Sequence, residues 1–263
     1  MKAIIFTDLD ASLLHEKTFS CLEIIDTLKS LISDGVFIVP NTSKTEVETR
    51  NVLKSLGIKT SFVIENGAKL CDIQQSFQFI GETDKEFGIE VSELNIRLER
   101  LSGRFFASDF QPINELKREN ASQILGLTGP KLEEALERQY SLLYRYVGPK
   151  SKIPFWHEAL LKVGLNLSQG GRVFAVSGNH DKATPIQWLS EKLCLVGKRL
   201  PKIIAIGDSN NDKPMLLRSA VACVIPHLNG SCLDLPDHPC VVFAEAPAPF
   251  GWRYAAKKAL EML

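Results

Sequence analysis

From Lys2 to Gly67 the chain alternates short apolar runs with segments of helical period, and this rhythm restricts the fold more than any other feature. Lys2–Thr7 is a brief apolar run closed by Asp8-Leu9-Asp10, as expected of a strand buried on both faces. Phe19–Ser33 carries Leu22, Ile25, Leu28, Leu31 and Ile32 at helical spacing and stops at Asp34-Gly35. Val36–Val39 reads as a second strand and Lys44–Leu56 as a second helix ending at Gly57. Ser61–Ile64 reads as a third strand before the turn signal Glu65-Asn66-Gly67. A β-α-β-α-β order of this kind predicts an α/β fold built on a doubly wound parallel sheet.

The rhythm changes near Gly81, and residues 82–168 read as an inserted, smaller α+β domain. Helices are expected at Asp84–Leu101, Ile113–Gly126, Leu132–Gln139 and Phe155–Val163, with strands at Arg104–Ala107 and Tyr140–Val147. Residues 169–263 then rejoin 1–81 to complete the core. The expected strands there are Arg172–Val176, Lys202–Ile206 and Val221–Ile225, and the expected helices Thr184–Leu193, Pro214–Ser219 and Trp252–Met262.

Composition narrows the partners. Lysine plus arginine equals aspartate plus glutamate at 31 each, so the basic surface needed to hold nucleic acid or an anionic membrane is not expected. The six cysteines form no C-x-x-C pair, and a chain of 263 residues, 44% hydrophobic, buries enough core without disulfides; free thiols are expected. The first residues lack a signal-peptide core and no stretch of eighteen apolar residues occurs, so the expectation is a cytoplasmic protein, monomeric or weakly dimeric.

In open α/β sheets ligands bind beyond the carboxyl ends of the strands. Here those ends carry polar residues of one kind: Asp8-Leu9-Asp10, Asn41-Thr42-Ser43-Lys44, and Gly207-Asp208-Ser209-Asn210-Asn211-Asp212, with Asn179-His180-Asp181-Lys182 just before a helix. Two aspartates one residue apart project to the same side of a strand, concentrating negative charge that a cation would make tolerable. A third acid from another strand end completes an oxygen-only site of the kind Mg²⁺ takes.

Taken in order and spacing, these four stretches resemble the four motifs of the haloacid-dehalogenase (HAD) superfamily, whose Rossmann-like core bears an inserted cap. The resemblance implies a magnesium-dependent phosphatase with Asp8 as nucleophile and Asp10 as general acid and base. It further implies that Thr42 donates to the phosphoryl group and that Lys182 holds phosphate and nucleophile together. Mg²⁺ would be bound by Asp8, the Asp10 carbonyl and Asp208, with Asn211 and Asp212 in support or as near ligands. The chain departs from the usual pattern at Ala11, where glycine is common, and at Ser12, where threonine is.

A second layer is similar to the mannosyl-3-phosphoglycerate phosphatase family, of the Cof-like type with a large α/β cap. It is carried by Asn41–Thr45, Glu65-Asn66-Gly67, Gly170–Phe174, Gly178–Lys182, Ile225-Pro226 and Ala246–Trp252. The resemblance implies a small glycosyl-3-phosphoglycerate as substrate, with Ser43, Lys44, Arg172, Asn179 and His180 as its contacts. Gln139 and Leu142-Leu143 stand where that family usually has carboxylates and proline. Sucrose phosphate or another sugar phosphate is the alternative substrate, and a non-catalytic metabolite-binding protein the alternative class.

Overall fold

The computed structural model describes residues 2–101, 108–170, 173–195 and 201–263. They fall into two compact units, one made of Met1–Ser43, Asn51–Glu86 and Asp181–Leu263, the other of Lys44–Arg50 and Phe87–His180.

In the first unit, β1 (Ala3–Thr7), β2 (Val36–Pro40), β10 (Lys202–Gly207), β11 (Val221–Val224) and β12 (Val241–Phe243) form a parallel sheet of order β12-β11-β10-β1-β2. Side chains alternate across it: Ala3 and Ile5 join a core with Leu28 and Leu31 of helix Ile25–Ser33 and Trp252 of helix Phe250–Glu261. Ile4 and Phe6 are equally buried between those positions. Burial on both faces explains why the strands read as continuous apolar runs. The chain leaves β1 toward β2 on one side, and β10 lies on the other, so the order reverses at β1. Strand ends at such a reversal open a crevice for ligands.

Strand pairing corrects sequence expectations. Ser61–Ile64 is not a third member of the parallel sheet. β3 (Phe62–Ile64) heads a small antiparallel sheet with β4 (Lys69–Cys71) and β5 (Lys85–Glu86), touching the main sheet's line through a single parallel bridge, Asn41 to Val63. The strand expected at Arg172–Val176 does not resume the core.

It is β9 (Phe174–Ser177), a strand of the second unit. There it pairs antiparallel with β7 (Ser141–Tyr146) and β8 (Asn166–Gln169), and β7 pairs with β6 (Phe110–Pro112). The second unit therefore runs on to His180, past the Ser168 expected from the pattern change. Its core centres on Phe110, whose ring meets Tyr144, Trp156 and Phe174 edge-on at 5.9, 6.0 and 5.9 Å. Asp109 beside it accepts the Trp156 indole N–H at 2.8 Å. The helix expected over Asp84–Leu101 is shorter, Val91–Glu99, because Lys85 and Glu86 are drawn into the ladder with β4. The strand expected at Arg104–Ala107 lies outside the described residues.

All six cysteines are free thiols. No helix among the described residues is long and apolar enough to cross a membrane.

Candidate active site

Beyond β1 the chain turns at once. The amides of Ser12, Leu13 and Leu14 converge on the Leu9 carbonyl at 3.4, 3.0 and 2.7 Å. Asp8 thus stands between the strand and this turn and Asp10 lies within the turn, so strand alternation does not place the pair. Ala11 sits at φ 59°, the left-handed region that glycine enters without strain, which explains why this position favours glycine in similar sequences. The β1 end is braced from the C-terminal helix: Trp252 Nε1 donates to Thr7 Oγ1 at 2.9 Å, and Thr7 Oγ1 donates to the Asp8 carbonyl at 2.8 Å.

Lys182 is the centre of the site. It is fully buried, and its Nζ donates to Asp8 Oδ1 and to Asp212 Oδ1, each at 2.6 Å. The buried Asn41 amide donates to the Lys182 carbonyl at 2.8 Å, tying the end of β2 to this lysine. Asp181 fixes it from the other side by accepting the amides of Ala183 and Thr184 at 2.8 and 3.1 Å, an aspartate cap on helix Thr184–Leu195.

Asp212 uses both oxygens. While Oδ1 takes Lys182, Oδ2 accepts the amides of Asp208 and Ser209 at 3.0 Å each and the Ser209 hydroxyl at 3.2 Å. Gly207 makes room for this carboxylate, since a Cβ there would stand 2.5 Å from Asp212 Cβ. Ser12 donates its hydroxyl to Asp208 Oδ1 at 2.6 Å, and His227 Nε2 lies 3.4 Å from Asp208 Oδ2.

The electrostatics follow from crowding acids in a dry place. Burial raises the Asp8 carboxyl to about 7, with Lys182 opposing and Asp212 and Asp10 reinforcing. Burial likewise raises Asp208 to about 8; Asp212 and Asp8 add to it, while the Ser12 bond and Lys182 work against it. For Lys182 burial disfavours the charge, yet Asp212 and Asp8 outweigh it and the ammonium is held more tightly than usual. One carboxylate oxygen from each of Asp8, Asp208 and Asp212 lies within 4.8 Å of the others. An oxygen-only set with more negative than positive charge fits a hard divalent cation.

This has a measurable consequence. Carboxyls at about 7 and about 8 are partly protonated near neutral pH, and a cation must displace those protons to bind. Magnesium affinity, read by calorimetry, should therefore rise at least about tenfold from about pH 6 to about pH 8.5. A flat affinity over that range would contradict the crowding.

Asp8, Asp10, Thr42, Ser43, Lys182, Asp208 and Asp212 all belong to the first unit. Thr42 is fully buried at the end of β2, its N–H donating to the Val63 carbonyl at 3.1 Å. Lys44, Asn179 and His180 belong to the second unit. Lys44 Nζ lies 3.8 Å from Glu48 Oε1, Asn179 is exposed and His180 is buried. Arg172 lies outside the described residues. Sequence reasoning missed the bonds of Asn41, Trp252, Thr7, Asn66 and His227, since nothing local in the chain announces contacts made across so many residues.

Comparison with known proteins shows the family. Residues 5–226 match the family model described as haloacid dehalogenase-like hydrolase. The chain is 27% identical over 262 residues, covering 95% of it and 94% of the relative, to the glucosyl-3-phosphoglycerate/mannosyl-3-phosphoglycerate phosphatase of Persephonella marina. It is 30% identical over 225 residues, 82% of this chain and 87% of the relative, to the mannosyl-3-phosphoglycerate phosphatase of Pyrococcus horikoshii. Among solved structures, a haloacid dehalogenase-like hydrolase from B. subtilis superposes with a TM-score of 0.64 at 19% identity, covering 100% of both chains.

Proposed function

We propose, from the premise that this chain belongs to the haloacid dehalogenase-like hydrolases, that it is a phosphatase working through an aspartyl-phosphate at Asp8. The observation that carries this reading is the buried Lys182 ammonium, 2.6 Å from Asp8 on one side and from Asp212 on the other, beside a second buried acid, Asp208. A carboxylate oxygen aimed and charge-compensated in this way is an oriented nucleophile.

The steps assign one role to each group. An Asp8 oxygen bonds to phosphorus as the bond from phosphorus to the leaving alcohol oxygen breaks, and Asp10 gives that oxygen a proton. Asp10 then takes a proton from the water whose oxygen bonds to phosphorus, releasing phosphate and restoring the Asp8 carboxylate. Thr42 and Lys182 donate to the phosphoryl oxygens throughout. Asp8, Asp208 and the Asp10 carbonyl would hold Mg²⁺, with Asp212, both of whose oxygens are already engaged, supporting them from behind. When bound, Mg²⁺ supplies positive charge to the phosphoryl oxygens.

The substrate we propose is a glycosyl-3-phosphoglycerate. Its support is the likeness over most of the chain to relatives named for such compounds. Ser43, Lys44, Arg172, Asn179 and His180 are the proposed substrate contacts, on sequence resemblance. Leu142, Leu143 and Gln139 put the departures from the usual pattern on β7 and just before it, so the sugar is the part of the substrate expected to vary.

A panel decides it. With Mg²⁺ present, kcat/KM for mannosyl- or glucosyl-3-phosphoglycerate should exceed that for sucrose phosphate and hexose phosphates by at least about tenfold, one well-made polar contact being enough for that ratio. Equal rates across the panel would remove the glycerate as the recognised group.

A further inference from the structure

We infer that the turn Glu65-Asn66-Gly67 is a positioning device for phosphoryl transfer, holding from one point the three chain segments that carry Thr42, Lys182 and Asp208. The inference rests on the phosphatase reading and adds to it Asn66 and Gly67, which take no part in the chemistry.

The turn is strained in an unusual way. Glu65, Asn66 and Gly67 take φ of 45°, 60° and 100° in succession, all in the left-handed region. Asparagine tolerates that conformation and glycine is indifferent to it, but glutamate does not favour it, and Glu65 is also buried. A tight reversal between antiparallel strands favours positive φ at its two central positions, but asparagine, aspartate or glycine there and not a buried glutamate. Strain of this kind persists where the surroundings over-determine it, and those places cluster at functional sites.

Three contacts supply the over-determination. The Asn66 N–H donates to the Thr42 carbonyl at 2.9 Å, so with Thr42 N–H on Val63 both main-chain groups of Thr42 are committed to this end of β3. Asn66 Oδ1 accepts from Asn211 Nδ2 at 3.0 Å. Asn211 lies in the short helix Asn210–Asp212, whose Asp212 grips both Lys182 and the Asp208 amide. Gly67 presses on the residue before Lys182: a Cβ at Gly67 would stand 1.9 Å from the Asp181 carbonyl oxygen and 3.1 Å from Lys182 N. The chain has no room there for any residue but glycine. One turn thus meets the segment after β2, the segment entering the helix that begins at Thr184, and the loop after β10.

Removal of the side-chain link alone separates positioning from folding. Asn66→Gly keeps the left-handed backbone and the N–H bond to Thr42 but deletes the bond to Asn211. Its kcat should fall about 10- to 100-fold, the scale of a misplacement near one ångström, with KM held within about twofold. Asn211→Ala should lower kcat comparably or more, and Asn66→Gly added to it should change kcat by less than about twofold, since the two act through one bond. Gly67→Ala, forced off the Asp181 carbonyl, should lower kcat further, but because it can also misfold the glycine variant at 66 decides. An unchanged kcat in Asn66→Gly, with or without a lower melting temperature, overturns the inference and leaves the phosphatase reading standing, as do losses that multiply in the double variant. A wild-type protein without turnover on any phosphomonoester overturns both.

Discussion

Replacing Lys182 with methionine should destabilise the metal-free protein by about 3–5 kcal/mol, a large part of a domain's typical stability. The expectation comes from what the lysine leaves behind. Its side chain and that of Asp212 are fully buried and Asp8 nearly so, with both ion pairs at 2.6 Å. Methionine fills the volume but leaves two carboxylates, one fully and one nearly buried, without their counter-charge. The cost is that of buried charge without a partner, and it exceeds whatever the pairs contribute on balance. Asp212→Asn in the same chain removes one stranded charge and should recover part of the loss. Urea denaturation with chelator present measures both. A deficit under about 1 kcal/mol in Lys182→Met would mean the ammonium does not hold this cluster together.

Asp8→Asn should do the opposite: leave the fold and remove the activity. Asparagine matches aspartate in size, and its carbonyl oxygen can still accept from Lys182, whose charge remains paired with Asp212. Stability is expected within about 1 kcal/mol of wild type. Turnover is expected to fall by about 10⁴-fold or more, the scale seen when a covalent nucleophile is deleted, because the amide oxygen does not attack phosphorus. Rates and melting curves on the same preparation separate the two effects. A variant that keeps more than about one per cent of the rate would show that the carboxylate is not the attacking group.

How far the sequence reached depends on whether a feature was local. The strands carrying Asp8 and Asp208 were legible because a strand buried on both faces is an uninterrupted apolar run, and Lys2–Thr7 and Lys202–Ile206 read that way. Phe174–Ser177 reads the same way for a different reason: it is buried between β7 and β8 in the other unit. Apolar period alone does not say which sheet a strand joins, so the pattern at Arg172–Val176 points equally to the core. Lys85 and Glu86 stand shortly before the helix Val91–Glu99 in the sequence, and only pairing with β4 extends them.

The site divides along the same line. Asp8, Lys182, Asp208 and Asp212 stand at element ends where ligand groups are expected, and the structure brings these four together. Ser12 keeps a hydroxyl in place of threonine's, but its bond to Asp208 is made across 196 positions. Asn41 reaches Lys182 across 141, and Trp252 reaches Thr7 across 245. Such links exist only after the sheet has formed, so no spacing rule contains them.

The central claim is that Asp8 carries the phosphoryl group during turnover. Wild-type enzyme mixed with substrate and Mg²⁺, quenched in acid within a turnover and digested, should yield the peptide containing Asp8 with a phosphate on that carboxylate, removable by hydroxylamine. Peptide mapping by mass spectrometry should find none when Mg²⁺ is withheld. Steady phosphate release with Asp8 unmodified throughout would contradict the account.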